Sequence, residues 1–140
     1  MDTQSTSASQ EESQGIDVSF PKKEKLKSRK IIDRLFIEGR SIRVRNVKLI
    51  YLQSEVTEKV PYQVGVTVPK KSFKSAVKRN RIKRLLRESY RLNKPQLFNN
   101  SKGNFAFLFL YLGKEMPDYQ SVDQNIQAIL KKFIKETKDE

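Results

Sequence analysis

Apolar residues along the chain fall into segments of helical and of strand-like spacing, and that spacing predicts seven elements. Ile31, Ile32, Leu35 and Phe36 recur at helical intervals between Ser28, a suitable N-cap, and Gly39, a suitable exit residue, so a short first helix is expected there. A weak, basic strand signal follows over Ser41 to Val44, interrupted by Arg40, Arg43 and Arg45. Val47 to Gln53 is rich in β-branched and aliphatic residues, and Tyr62, Val64, Val66 and Val68 alternate with Gln63, Gly65 and Thr67. These two runs look like a hairpin pair of strands. Pro69 ends the second, and a helical segment is expected from about Ser75 to Leu92, closed by Asn93 and Pro95.

Phe105 to Leu112 is apolar on both pleat faces, which suits a central strand covered from two sides. Val122, Ile126, Ile129, Leu130 and Phe133 follow the spacing of an amphipathic helix that starts near Pro117 and Asp118. The order is α-β-β-β-α-β-α. It predicts an α+β fold, a two-layer α/β sandwich on a mixed four-stranded sheet.

Composition narrows the chemistry. The chain has 140 residues, 36% of them hydrophobic, with a net charge of +13, and one basic globular domain is the expectation. It contains no His and no Cys, so imidazole bases, thiolate nucleophiles, disulfides and Cys/His zinc sites are excluded. Asp33 with Glu38 and Glu55 with Glu58 are the nearest acidic pairs, and both are expected to be surface charges. No long apolar run or secretory pattern is present, so a cytoplasmic protein without a membrane partner is expected. Residues 1–19 hold four acids and no base, in a stretch rich in Ser, Gln and Thr, and are expected to form a disordered acidic tail. Moving those four negative charges out of the total leaves +17 on residues 20–140.

The charge is concentrated further. Lys70 to Lys94 contains eleven basic residues and one acid, Glu88. At about 100° per residue, Ile82, Leu85, Leu86 and Ser89 share one face, while Asn80, Lys83, Arg84, Arg87 and Arg91 form an outward ribbon and Arg81 projects from another side. Like charges at i and i+4 repel, so the ribbon calls for a polyanion whose phosphates neutralise it. Arg offers bidentate forks to phosphate and Asn can donate and accept at a base edge. Charge alone leaves DNA, RNA and anionic lipid open.

The words of the segment are more specific than its charge. Val66 to Tyr90 reads V-T-V-P-K-K-S-F-K-S-A-V-K-R-N-R-I-K-R-L-L-R-E-S-Y, and it closely resembles the hallmark of the bacterial ribonuclease P protein subunit family. The match lies at Lys70, Lys71, Ala76, Val77, Arg79, Asn80, Arg81, Ile82, Lys83, Arg84, Arg87 and Glu88. A weaker resemblance covers Leu26 to Ser41, and Ile32 stands where many relatives have Phe. The resemblance implies the ribosomal protein S5 domain 2-like fold over about residues 20–136. It also implies a protein subunit that helps a catalytic RNA, using bound Mg²⁺, remove the 5′ leader of precursor tRNA, with no catalytic residue in the protein. By the same resemblance, Lys70, Lys71, Lys74, Arg79, Asn80, Arg81, Lys83, Arg84 and Arg87 are expected to bind the catalytic RNA. Phe36, Tyr51, Lys83 and Arg87 are expected at the leader cleft, with Phe36 and Tyr51 as the stacking aromatics. A non-enzymatic RNA-binding module and a self-sufficient nuclease are the rival readings.

Overall fold

A computed structural model describes residues 20–53, 61–101 and 103–138; the acidic segment 1–19 and the Glu55 and Glu58 pair lie outside the described residues. Helix α1 spans Arg29–Glu38 and starts as the sequence predicts, with the Ser28 Oγ accepting a bond from the Ile31 amide at 3.3 Å. Gly39 ends it in extended backbone, so the glycine is not there for a left-handed turn. A Cβ at that position would stand 2.6 Å from the Ile50 Cγ2 and closer still to the Leu35 carbonyl. The close approach of helix to sheet is what requires it.

Strands β1 (Arg40–Val44) and β2 (Val47–Gln53) form an antiparallel hairpin, with Ile42 opposite Leu49. Strand β3 (Tyr62–Thr67) does not join them. The sheet order is β1-β2-β4-β3, with β4 (Phe105–Tyr111) inserted antiparallel to β2 and parallel to β3. The expected β2–β3 hairpin is therefore corrected: the hairpin is β1–β2. All seven residues of β4 are buried, and placing this doubly apolar strand in the middle removes more apolar surface from water than pairing β2 with β3 would.

Helix α2 spans Ala76–Asn100 and is the crossover that parallel strands need between β3 and β4. Its N-cap is Ser75, whose Oγ accepts from the Lys78 amide at 3.3 Å. The helix continues past its expected end at Leu92, with Pro95 inside it. A mid-helix proline costs about 3 kcal/mol, and tertiary contacts offset it. Asn93, expected as a stop, instead donates from Nδ2 to the Ser89 carbonyl at 2.7 Å and to Asp123 Oδ1 at 2.9 Å, tying its turn to the last helix. Beyond the proline, Leu97 is fully buried and Phe98 packs 5.3 Å from Tyr62.

Helix α3 spans Tyr119–Lys138, and its apolar stripe of Val122, Ile126, Ile129, Leu130 and Phe133 is fully buried. Helices α2 and α3 cover one face of the sheet over the core of Phe105, Phe107, Phe109 and Tyr111. Helix α1 lies on the other face, over Ile50, Ala106, Leu108 and Leu110. Ten residues of helix cannot cover four strands, and part of that second face is left open.

Candidate nucleic-acid interface

Ile82 and Leu86 are fully buried, which anchors α2 on its apolar face and turns the cationic face outward. Lys70, Lys71 and Lys74 in the entry loop are exposed, as are Lys78, Asn80, Arg81, Arg84 and Arg87; Lys83 is half-buried. The loop carrying the lysines is fixed at three points. Pro69 accepts from the amides of Ser72 and Phe73, the Phe73 ring is buried 6.1 Å from Tyr111, and Arg79 donates from Nη1 to the carbonyls of Phe73 and Lys74 at 2.8 and 3.0 Å. Arg79 thus spends donors on its own chain.

Two further cations of the segment are also bound internally. Arg91 pairs with Glu88 at 2.6 Å, and the hydrogen bond raises its already high pKa. Lys94 is fully buried, with Nζ 2.7 Å from Glu24 Oε1 and 5.4 Å from the Phe98 ring centre. The outward ribbon is therefore shorter than the sequence suggests and lies in the first half of α2.

Beside it opens a cleft of about 350 Å³. One wall is α1, with Ile32 and Phe36; the floor is Val64 to Thr67 of β3 and Leu108 of β4; the third side is Arg87 of α2. Phe36 is 58% exposed and is no part of the core. Gly65 keeps the floor low, since a Cβ there would stand 3.3 Å from Leu108 Cδ1 and 3.5 Å from Leu26 Cβ. Arg87 belongs to both the cleft and the ribbon; Lys83, one turn earlier, does not line the cleft.

Tyr51 requires a correction. It points to the opposite face of the sheet and is only 3% exposed, edge-on to Phe133 at 4.9 Å, with its hydroxyl donating to Glu136 Oε1 at 2.8 Å. Burial and the neighbouring carboxylate push its pKa up to about 12. No face of this ring is open to a base. Its neighbour Ile50 is the residue on the α1 side.

The fourth side of the cleft was missed in the sequence. Phe20, Lys25, Leu26 and Lys27 line it, from a segment that passes through a 3₁₀ turn at Lys22–Glu24 and then runs along β3. The Leu26 amide donates to the Val64 carbonyl at 2.9 Å, and Lys25 bridges Val64 in parallel. The available signal was the alternation Lys25, Leu26, Lys27, which exposes both lysines and buries the leucine.

Among the described residues, no group of three or more Cys, His, Asp or Glu gathers as a metal site, and no described helix is long and apolar enough to cross a membrane. A family model for Ribonuclease P matches residues 20–134. The ribonuclease P protein component of Porphyromonas gingivalis is 40% identical over 114 residues, spanning 78% of this chain and 82% of the relative. That of Chlorobium phaeobacteroides is 35% identical over 125 residues, spanning 80% and 86%. Among solved structures, the ribonuclease P protein of Thermotoga maritima superposes with a TM-score of 0.63 at 25% identity, covering 78% of this chain and 96% of the other. The Staphylococcus aureus protein shares the fold, with a TM-score of 0.63 at 20% identity over 79% and 94%.

Proposed function

The chain belongs to the ribonuclease P protein family, and from that premise we propose that it binds a catalytic RNA through α2 and its entry loop, and the 5′ leader of precursor tRNA through the adjacent cleft. Membership makes it a ribonuclease P component acting in tRNA processing with an RNA partner. The finer reading is carried by one observation: the cationic ribbon and the cleft share a wall at Arg87. An RNA docked on the ribbon brings its own surface next to whatever strand lies in the cleft.

Lys70, Lys71, Lys74, Arg81 and Arg84 supply phosphate contacts to the catalytic RNA, with release of counterions. Asn80 offers an amide among them. In the cleft, Phe36 offers a ring for stacking, which tolerates any base and is worth about 1–3 kcal/mol per base. Arg87, Lys25 and Lys27 neutralise the leader backbone around it. The mature product lacks the leader nucleotides, so these contacts hold precursor more tightly than product. The protein contributes binding and orientation. Hydrolysis at the 5′ end is left to the catalytic RNA, which would hold the Mg²⁺ the reaction uses.

The test is reconstitution. Purified protein alone is expected to leave precursor tRNA intact, and to stimulate a cognate catalytic RNA at low Mg²⁺ while tightening precursor over mature tRNA. Cleavage by the protein without RNA would overturn the subunit reading in favour of a self-sufficient nuclease.

A further inference from the structure

The segment that forms the fourth side of the cleft is held to the edge of the sheet by little backbone: the Leu26 amide to Val64 and one isolated bridge at Lys25. A contact from Gln63 Nε2 to the Lys23 carbonyl at 3.4 Å adds little. So short a pairing specifies register weakly, and a slip of one residue would turn Lys25 and Lys27 inward and Leu26 outward. A second tie comes from 70 residues away. Lys94, on the half of α2 that carries no outward ribbon, is 1% exposed, and its ammonium meets the Glu24 carboxylate at 2.7 Å.

An ion pair buried this deeply contributes little net stability, because desolvating both charges offsets their attraction; the best-attested gain from such pairs is register. We infer that Glu24 and Lys94 are positioning residues for leader recognition: their pair fixes the register of the Phe20–Lys27 segment on β3 and so holds Lys25 and Lys27 at the mouth of the cleft. The inference rests on the cleft being the leader site. In this register Glu24 reaches Lys94 on α2 while Leu26 seats over Gly65. The next two cations then fall beside Phe36 and Arg87. The same pair links the cleft to the continuation of α2 through Pro95, the residue next to Lys94.

The experiment uses the assembled protein–RNA complex and the double variant Glu24→Leu/Lys94→Met, which removes both charges and leaves apolar groups of similar size. Its melting temperature is expected to stay close to that of the unaltered protein, while precursor tRNA with a long leader binds about 3- to 10-fold more weakly. Affinity for mature tRNA is expected to be unchanged. A folded double variant that retains full preference for precursor would overturn the inference. Should the double variant fail to fold, Lys25→Gln/Lys27→Gln, both exposed, is expected to show the same loss of preference, and its absence would overturn the inference equally. If the unaltered complex itself shows no preference for precursor, the leader-cleft reading fails instead.

Discussion

The Lys74 carbonyl is held by the Arg79 guanidinium at 3.0 Å, and the Phe73 carbonyl by the same nitrogen at 2.8 Å. An arginine that the charge pattern presents as an RNA contact is also the clasp of the loop carrying Lys70, Lys71 and Lys74. Charge-assisted bonds of this kind are worth about 1.5–3 kcal/mol each. Arg79→Ala is therefore expected to weaken binding of the catalytic RNA by loosening three lysines at once. Limited trypsin digestion checks the route: cutting after Lys70, Lys71 or Lys74 should accelerate in the variant, and an unchanged rate would return Arg79 to a simple phosphate contact.

Arg84 is exposed on the ribbon and, among the described residues, has no comparable bond to the chain. Arg84→Ala should lower the slope of log affinity for the catalytic RNA against log salt by about 0.7–0.9, one phosphate contact. Titrations at four salt concentrations suffice. A slope equal to that of the unaltered protein would place this side chain away from the backbone of the RNA.

The two aromatics expected at the cleft should behave in opposite ways. Phe36 is more than half exposed, so Phe36→Ala should leave stability within about 0.5 kcal/mol while precursor binding falls by the worth of a stack, about 1–3 kcal/mol. Tyr51→Phe removes only the hydroxyl bonded to Glu136. It should cost about 1 kcal/mol of stability and leave precursor binding untouched. Thermal melts beside binding titrations separate the two, and a Tyr51→Phe defect in precursor binding would contradict the placement of that ring in the core.

Burial raises the pKa of every tyrosine in the chain, to about 12 for Tyr51, Tyr62 and Tyr119 and above the usual value for Tyr90 and Tyr111. An unfolded tyrosine ionises near 10. Above that pH the unfolded chain binds fewer protons than the folded one, so stability is complete below pH 10 and declines as pH rises toward 12. Tyrosinate absorbance and circular dichroism followed together should change in one cooperative step. Free ionisation of all five tyrosines near pH 10 with the fold intact would refute their burial.

The cap at Ser28, the start of α2 near Ser75, the stripe of α3 and the two-faced strand β4 were legible because each is a local pattern read directly by its neighbours. Strand adjacency was not, since alternation along Tyr62 to Val68 states which face a residue takes and not which strand lies beside it. Pro95 and Asn93 carried a stop signal that tertiary contacts override, through Asp123 bonded to Asn93 and through the core that buries Leu97. The face of Tyr51 was readable after all: Val47 and Leu49 share its parity, and Lys48 marks the other side. The burial of Lys94 had no local signal, because its partner lies 70 residues away.

Strands β3 and β4 run parallel, and their covalent link is α2. The helix proposed to dock on RNA is consequently a beam of the building rather than a sign hung on its wall. Cutting the chain within α2 would leave β1, β2 and β4 in one fragment's keeping only in part, since β4 follows the cut and β1 to β3 precede it. A peptide copy of its first half would lack the sheet beneath Ile82 and Leu86 and would set mostly like charges against each other between its turns. This segment cannot be grafted elsewhere as a portable module, and substitutions on its buried side alter recognition and strand assembly together.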